Sequence, residues 1–132
     1  MPVRFFVDEN DLALGKALGK RRVDVVFPGH PGLPEVPRQT LDDDWLAVVG
    51  DKKLVVITRD KRIRYRPVEK QRWVEHAVRG FVLTGRTSQT TAESLRVLES
   101  HWTAIEQVLV LRPDGPWMFA LTKTGLREIP LQ

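Results

Sequence analysis

The chain has 132 residues, no cysteine, and a formal net charge of +4 from 21 basic and 17 acidic residues. This length and a hydrophobic content of 42% are typical of one domain with its own core, so we expect a single domain over residues 1–132. The composition excludes disulfides, thiolate metal sites and a membrane span, and its basic excess favours a nucleic acid or another polyanion as the partner.

The first half of the chain alternates short apolar runs with amphipathic segments. Residues 3–7 predict a first strand, and their apolar stretch is too short for a signal peptide, so we expect a cytoplasmic protein. Apolar residues near three-and-four spacing from Leu12 predict a helix, with Asn10 or Asp11 as its cap. The further elements predicted here are a strand over 23–27, a loop over 28–37, a helix from Asp42 to Gly50 and a strand over 54–58.

The second half continues this alternation and ends in a different pattern. Its predicted elements are a helix from Pro67 to Val78, a strand over 81–84, a helix from Thr90 to about Leu111 with a break near Ser100–His101, and strands over 117–121 and 127–129. The last two strands predict a hairpin extension over about residues 112–132. Because strands alternate with helices through residue 84, we predict an α/β fold, a three-layer α/β/α domain with a mostly parallel central sheet.

Two of the predicted strands lead into an aspartate. Asp8 follows the first strand directly, and Asp60 follows the strand that ends at Thr58. In open α/β sheets, ligands bind outside the carboxyl ends of the strands, so both acids stand where chemistry can occur. Each acid also has a simpler explanation, because Asp8 can cap the next helix and Asp60 can close a local turn.

A third group of acids, Asp42–Asp44, opens the helix between those strands. Asp42 is the expected N-cap of that helix, and three acids complement the helix dipole. Because successive residues turn by about 100° around a helix, at most one of Asp43 and Asp44 should join Asp42 at a site. Carboxylates gathered closely repel one another unless a cation lies among them, and Mg²⁺ or Mn²⁺ prefers oxygen ligands. We therefore hypothesise a divalent metal site and phosphodiester chemistry.

Polar and basic residues flank these acids. Asn10 lies two residues after Asp8 and Thr58 two before Asp60, which places them on the side of their acid if the chain stays extended. Arg59 could pair with a carboxylate or reach a phosphate. The strongly basic run over residues 59–72 suits a phosphate backbone. The candidate substrate-binding residues are Asn10, Thr58, Arg59, Lys61, Arg62 and Arg64.

Three segments together resemble the PIN-like domains. They read Phe-Phe-Val-Asp-Glu-Asn over residues 5–10, Asp-Asp-Asp-Trp-Leu over 42–46, and Val-Val-Ile-Thr-Arg-Asp-Lys-Arg-Ile-Arg over 55–64. The resemblance covers roughly residues 3–84 and is closest to the branch that includes the VapC-like toxins of bacterial toxin–antitoxin pairs. The strand followed by Thr-Arg-Asp is its most specific part.

The resemblance implies a Mg²⁺- or Mn²⁺-dependent ribonuclease. Asp8, Asp42 and Asp60 match the family's catalytic and metal-binding acids, with Asp43 as the alternative to Asp42. It further implies RNA as the substrate, a cognate antitoxin protein and a homodimer. The chain departs from the family pattern because basic residues stand where a fourth acid usually follows the third, which leaves a catalytically weak RNA- or partner-binding module as the alternative function.

Overall fold

A six-stranded sheet forms the centre of the protein. The computed structural model describes residues 2–84 and 89–131, apart from the side chains of Lys61 and Arg64. The strands are β1 (Phe5–Val7), β2 (Val25–Val26), β3 (Val55–Thr58), β4 (Arg79–Leu83), β5 (Trp117–Thr122) and β6 (Gly125–Glu128). Their order across the sheet is β2-β1-β3-β4-β5-β6, and only β6 is antiparallel to its neighbour. The predicted α/β class and mostly parallel sheet are confirmed.

Helices cover both faces of this sheet, which gives the predicted three layers. The helices are α1 (Leu12–Arg21), α2 (Asp42–Asp51), α3 (Lys61–Tyr65), α4 (Pro67–Glu75) and α5 (Thr91–Leu111). Alternate strand residues point to opposite faces. Phe5 and Phe81 therefore pack with apolar residues of α1 and α5, whereas Phe6 and Val82 pack with apolar residues of α2 and α4.

The strand order reverses between β1 and β3. From β1 the chain passes through α1 to β2 on one side, and it then returns through α2 to β3 on the other side. Such a reversal leaves a crevice at the carboxyl ends of the two central strands, where α/β proteins bind their ligands. The loops after Val7 and Thr58 open into that crevice.

Several predicted local features are wrong. The second strand is only Val25–Val26, although the carbonyl oxygen of Asp24 before it still accepts hydrogen bonds from the backbone N–H groups of Arg4 and Phe5. Asp42 is the first helical residue and Leu41 is the N-cap. The long helix α5 passes through residues 100–101 without a break. Residues 61–65, which carry no recognisable apolar period, form the short helix α3.

Other local predictions hold. Asp11 caps α1 by accepting a hydrogen bond from the backbone N–H of Leu14. Pro67 is the first residue of α4, and the C-terminal strands form the predicted hairpin. That hairpin completes the sheet, because β5 pairs with β4 in parallel. None of the helices described is long and apolar enough to cross a membrane.

Candidate active site at the ends of β1 and β3

Asp8 lies at the end of β1 with its side chain almost completely buried. It is 3% exposed, and its Oδ1 accepts no hydrogen bond from any described residue. It makes no capping hydrogen bond to the helical turn Glu9–Asp11 that follows, so the capping explanation does not apply to it. Burial, together with the charges of Asp60, Asp42 and Asp11, raises the pKa of Asp8 to about 7.

Thr58 connects the ends of the two central strands. Val7 and Ile57 are paired in the sheet, so Asp8 and Thr58 are neighbours across β1 and β3. The hydroxyl of Thr58 donates to Asp8 Oδ2 at 2.9 Å and accepts from the backbone N–H of Asp60 at 3.0 Å. The hydrogen bond to Asp8 opposes the rise of its pKa. Thr58 therefore holds both acids in place and is fully buried away from any substrate.

Asp60 is buried at the start of α3 and is paired with Arg62. Its Oδ1 accepts from the Arg62 backbone N–H at 2.9 Å and from Nε at 3.0 Å, and its Oδ2 accepts from Nη2 at 2.8 Å. Burial alone would raise the pKa of Asp60, but the hydrogen bonds from Arg62 outweigh it and lower that pKa. The local turn considered for Asp60 is thus present, since it caps α3.

Asp42 and Asp43 point to different partners. Asp42 Oδ1 accepts from the indole N–H of Trp45 at 3.0 Å, and its Oδ2 lies 3.9 Å from Arg62 Nη2. Asp43 instead pairs with Arg72 of α4 at 2.8 Å. Only Asp42 lines the pocket beside the strand ends, which favours it over Asp43 as the third acid.

The three acids of the prediction share one open pocket of about 270 Å³. Asp8, Asp42 and Asp60 line it together with Arg62. Asn10 lies in the helical turn after β1 and also faces the pocket. The remaining lining residues are Glu9, Gln39, Thr40 and Trp45. Glu9 accepts a hydrogen bond from the Gln39 backbone N–H and so attaches the loop before α2 to the pocket rim.

The other predicted substrate-binding residues are placed differently. Arg59 is 13% exposed and donates to Asp11, Ser94 and the carbonyl oxygen of Gln89. These contacts attach the start of α5 to the sheet and lie outside the pocket lining. The side chains of Lys61 and Arg64 lie outside the described part of the chain.

Glu69 is a further acid of interest that has no distinguishing pattern in the sequence. Its Oε2 is buried and accepts no hydrogen bond from the described residues. Its charge acts on Arg62 and contributes to raising the pKa of that guanidinium, behind the larger effect of Asp60. An acid in the first turn of a helix is explained by the helix dipole, so the sequence carries no signal for a second role.

The acids have the ligand chemistry that a divalent cation needs, but Arg62 lies among them and keeps them from forming a metal-binding cluster. A buried carboxylate oxygen without a hydrogen-bond donor would be stabilised by a nearby cation, and Asp8 Oδ1 is such an atom. Carboxylate oxygens are the ligands that Mg²⁺ and Mn²⁺ prefer. Within residues 2–84 and 89–131, however, no three acidic or histidine side chains are grouped closely enough to hold an ion. Arg62 occupies the oxygens of Asp60 that such a group would need.

Sheet and pocket together define an α/β domain with carboxylates gathered where its strand order reverses. Residues 3–85 match the family model described as a PIN-like domain, and the chain therefore belongs to that family. PIN-like domains are typically nucleases that use divalent metal ions, and they generally interact with RNA. Searches of curated proteins and of solved structures gave no match. The PIN-like resemblance is thus confirmed, while the closer likeness to VapC-like toxins stays a prediction.

Proposed function

We propose that this PIN-like protein is a Mg²⁺- or Mn²⁺-dependent endoribonuclease and that it is the toxin of a toxin–antitoxin pair. The observation that carries the proposal is Asp8. A carboxylate that is 3% exposed and lacks a donor on one oxygen destabilises a folded protein, and the hydrogen bond from Thr58 to the other oxygen compensates for this only in part. Buried carboxylates with strongly shifted pKa values are concentrated at functional sites.

The residues around Asp8 support this role through their positions. Asp42 and Asp60 add two carboxylates to the lining of the same pocket, and the hydroxyl of Thr58 fixes the orientation of Asp8. When bound, a divalent cation supplies an activated water and neutralises charge on the phosphoryl oxygens. Arg62 and Arg66 carry positive charge close to Asp60, where they can hold the phosphates of an extended chain.

The first experiment is cleavage of a mixed RNA pool by the purified protein. We expect cleavage with Mg²⁺ or Mn²⁺ and none with EDTA. Asp8→Asn and Asp60→Asn remove one charge each with little change in volume, and each should lower the rate at least about a hundredfold. Loss of activity in variants that remain folded would locate the chemistry at these acids.

Asp44→Asn is the matched control. Asp44 belongs to the same acidic run of α2, but it is exposed and does not line the pocket. Its substitution should leave cleavage unchanged. If the wild-type protein cuts RNA equally well with EDTA, or if Asp8→Asn and Asp60→Asn cut at the wild-type rate, the proposed function is wrong.

The toxin assignment has a separate test. Expression of the wild-type chain in a bacterial cytoplasm should arrest growth, whereas Asp60→Asn should not, and a co-expressed antitoxin should restore growth by covering the pocket. The homodimer implied by the resemblance can be checked by light scattering. Growth that continues at high expression of active protein would exclude the toxin role without touching the nuclease chemistry.

A binding module without strong catalysis is the second candidate. The observation that favours it is the pairing of Arg62 with both oxygens of Asp60, because the guanidinium then balances the negative charge that a metal ion would need. Under this alternative, the protein would retain RNA in a filter-binding assay, with an affinity that falls steeply with salt, and would show no metal-dependent cleavage.

A further inference from the structure

We propose that Arg62 is an exchangeable counter-cation of the pocket, which leaves Asp60 and moves to Glu69 when a divalent cation binds. This inference rests on the proposed function, because it assumes that the acids bind such a cation. It assigns a positioning role to Glu69 and makes Arg62 a competitor of the metal ion instead of a fixed part of the fold.

Arg62 stands in the place of a cation. Its guanidinium donates to both carboxylate oxygens of Asp60, at 3.0 and 2.8 Å, and lies 3.9 Å from Asp42. These two acids flank Asp8, whose Oδ1 still lacks a donor among the described residues. A divalent cation shared by Asp8 and Asp60 therefore requires Arg62 to give up at least one of these contacts.

Arg62 is able to leave its position on Asp60. Its side chain is 51% exposed, although Asp60 beneath it is 7% exposed. It extends from α3, a helix of only five residues. A half-exposed guanidinium keeps much of its hydration, so rotating it away from Asp60 costs far less than moving a buried charge.

Glu69 is a second carboxylate that can accept hydrogen bonds from Arg62. Glu69 Oε2 is buried without a described donor, and the negative charge of Glu69 already acts on Arg62. Glu69 lies one turn before Arg72, which pairs with Asp43 at the start of α2. Residues three apart share a helix face, so Glu69 is on the side of α4 that packs against α2.

The exchange has a measurable consequence. The metal ion binds only to the fraction of molecules in which Asp60 is released from Arg62, so the apparent affinity is reduced by that fraction. Removing Arg62 should strengthen metal binding. Removing the charge of Glu69 should weaken metal binding only when Arg62 is present, because Glu69 acts by accepting Arg62 after it leaves Asp60.

The test measures Mn²⁺ binding to the full chain by calorimetry. Arg62→Gln should lower the dissociation constant about tenfold, and Glu69→Gln should raise it about threefold. The double variant should bind like Arg62→Gln alone, since the effect of Glu69 acts through Arg62. Arg62→Lys keeps the charge without the paired hydrogen bonds and should lie between the wild type and Arg62→Gln. Glu75→Gln, an exposed acid of the same helix, is the control and should change nothing.

Three results would overturn the exchange. One is an unchanged or weakened affinity in Arg62→Gln that is folded by circular dichroism. Another is a Glu69→Gln effect of full size in the Arg62→Gln background, which would make Glu69 a direct ligand. The third is no Mn²⁺ binding in any variant. RNA cleavage is measured on the same samples. Cleavage without the predicted changes in Mn²⁺ affinity would reject only the exchange of Arg62. The predicted changes in affinity without cleavage would reject only the proposed nuclease activity.

Discussion

Asp8→Asn should make the metal-free protein more stable at neutral pH while it removes activity. The physical reason is the burial of Asp8, which the hydrogen bond from Thr58 offsets only in part and which raises its pKa from an ordinary 3.8 to about 7. A group with a raised folded pKa favours the folded state below its unfolded pKa, and this contribution is lost as the pH rises through the folded pKa. Wild-type stability should therefore fall between about pH 4 and pH 7 and then level off, whereas the variant lacks this loss.

The magnitude follows from the same values. A pKa that moves from 3.8 to about 7 corresponds to about 4 kcal/mol of lost stability above pH 7. The new amide places an N–H group where Oδ1 has no described partner, which costs about 1–3 kcal/mol. The net gain expected for Asp8→Asn at pH 8 is about 2 kcal/mol, or roughly 5–10 °C in Tm.

The assay is urea unfolding in EDTA at a series of pH values from 3 to 8. Asp24→Asn is the contrasting variant, because Asp24 is equally buried but accepts hydrogen bonds from Arg4 and Arg22. Burial raises the pKa of Asp24, but these hydrogen bonds outweigh it and lower that pKa. Its stabilisation is present above about pH 4 and is lost as the pH falls through its lowered folded pKa, so Asp24→Asn should lose about 1–3 kcal/mol at pH 7 and less than that at pH 3.

The comparison refutes the reasoning if Asp8→Asn is less stable than the wild type at pH 8 in EDTA. That result would mean that the carboxylate of Asp8 is compensated in the folded protein. A gain of the same size at pH 4 and pH 8 would also contradict it, since the effect must follow the ionisation of Asp8.

Three further predictions concern the sheet and the pocket. Thr58→Val leaves the backbone N–H of Asp60 without its acceptor and Asp8 without its donor, so urea unfolding should show a loss of about 1–3 kcal/mol and cleavage should fall with it. Mn²⁺ at a hundred times its dissociation constant should stabilise the wild type by about 2.7 kcal/mol, and thermal unfolding of Asp8→Asn should show no such rise. Gly80→Ala would place a Cβ 2.7 Å from both Trp73 Cζ2 and the carbonyl oxygen of Val56, so its free energy of unfolding in urea should fall by about 1–3 kcal/mol, while an unchanged value would contradict this packing.

The sheet could be predicted wherever local signals sufficed. The apolar runs before Asp8 and Asp60 have the length of buried strands, and both proved to be neighbours in the sheet. The order of the strands could not be read from the chain, because pairing between distant segments leaves no local pattern. Helix α3 was missed for a related reason, since five residues are too few to show a helical period.

The sequence predicts which acids line the pocket but not the ion pairs that they form. The acids at strand ends follow from where parallel strands end, and Asp8, Asp42 and Asp60 do share one pocket. The partner of each acid depends on side-chain directions set by the fold. Arg62 turns back onto Asp60, Arg72 reaches across from α4 to Asp43, and no spacing in the sequence distinguishes these arginines from the rest of the basic run.

The two edges of the sheet restrict how a partner can bind. At one edge, β2 offers two residues, which is too short to template another strand. At the other edge, β6 carries the exposed charged residues Arg127 and Glu128, the second of which pairs with Arg112. Charged and very short edges both discourage strand addition. We therefore expect any protein that binds this chain to dock on its helices or over the pocket mouth, and the sheet to remain at six strands in complexes.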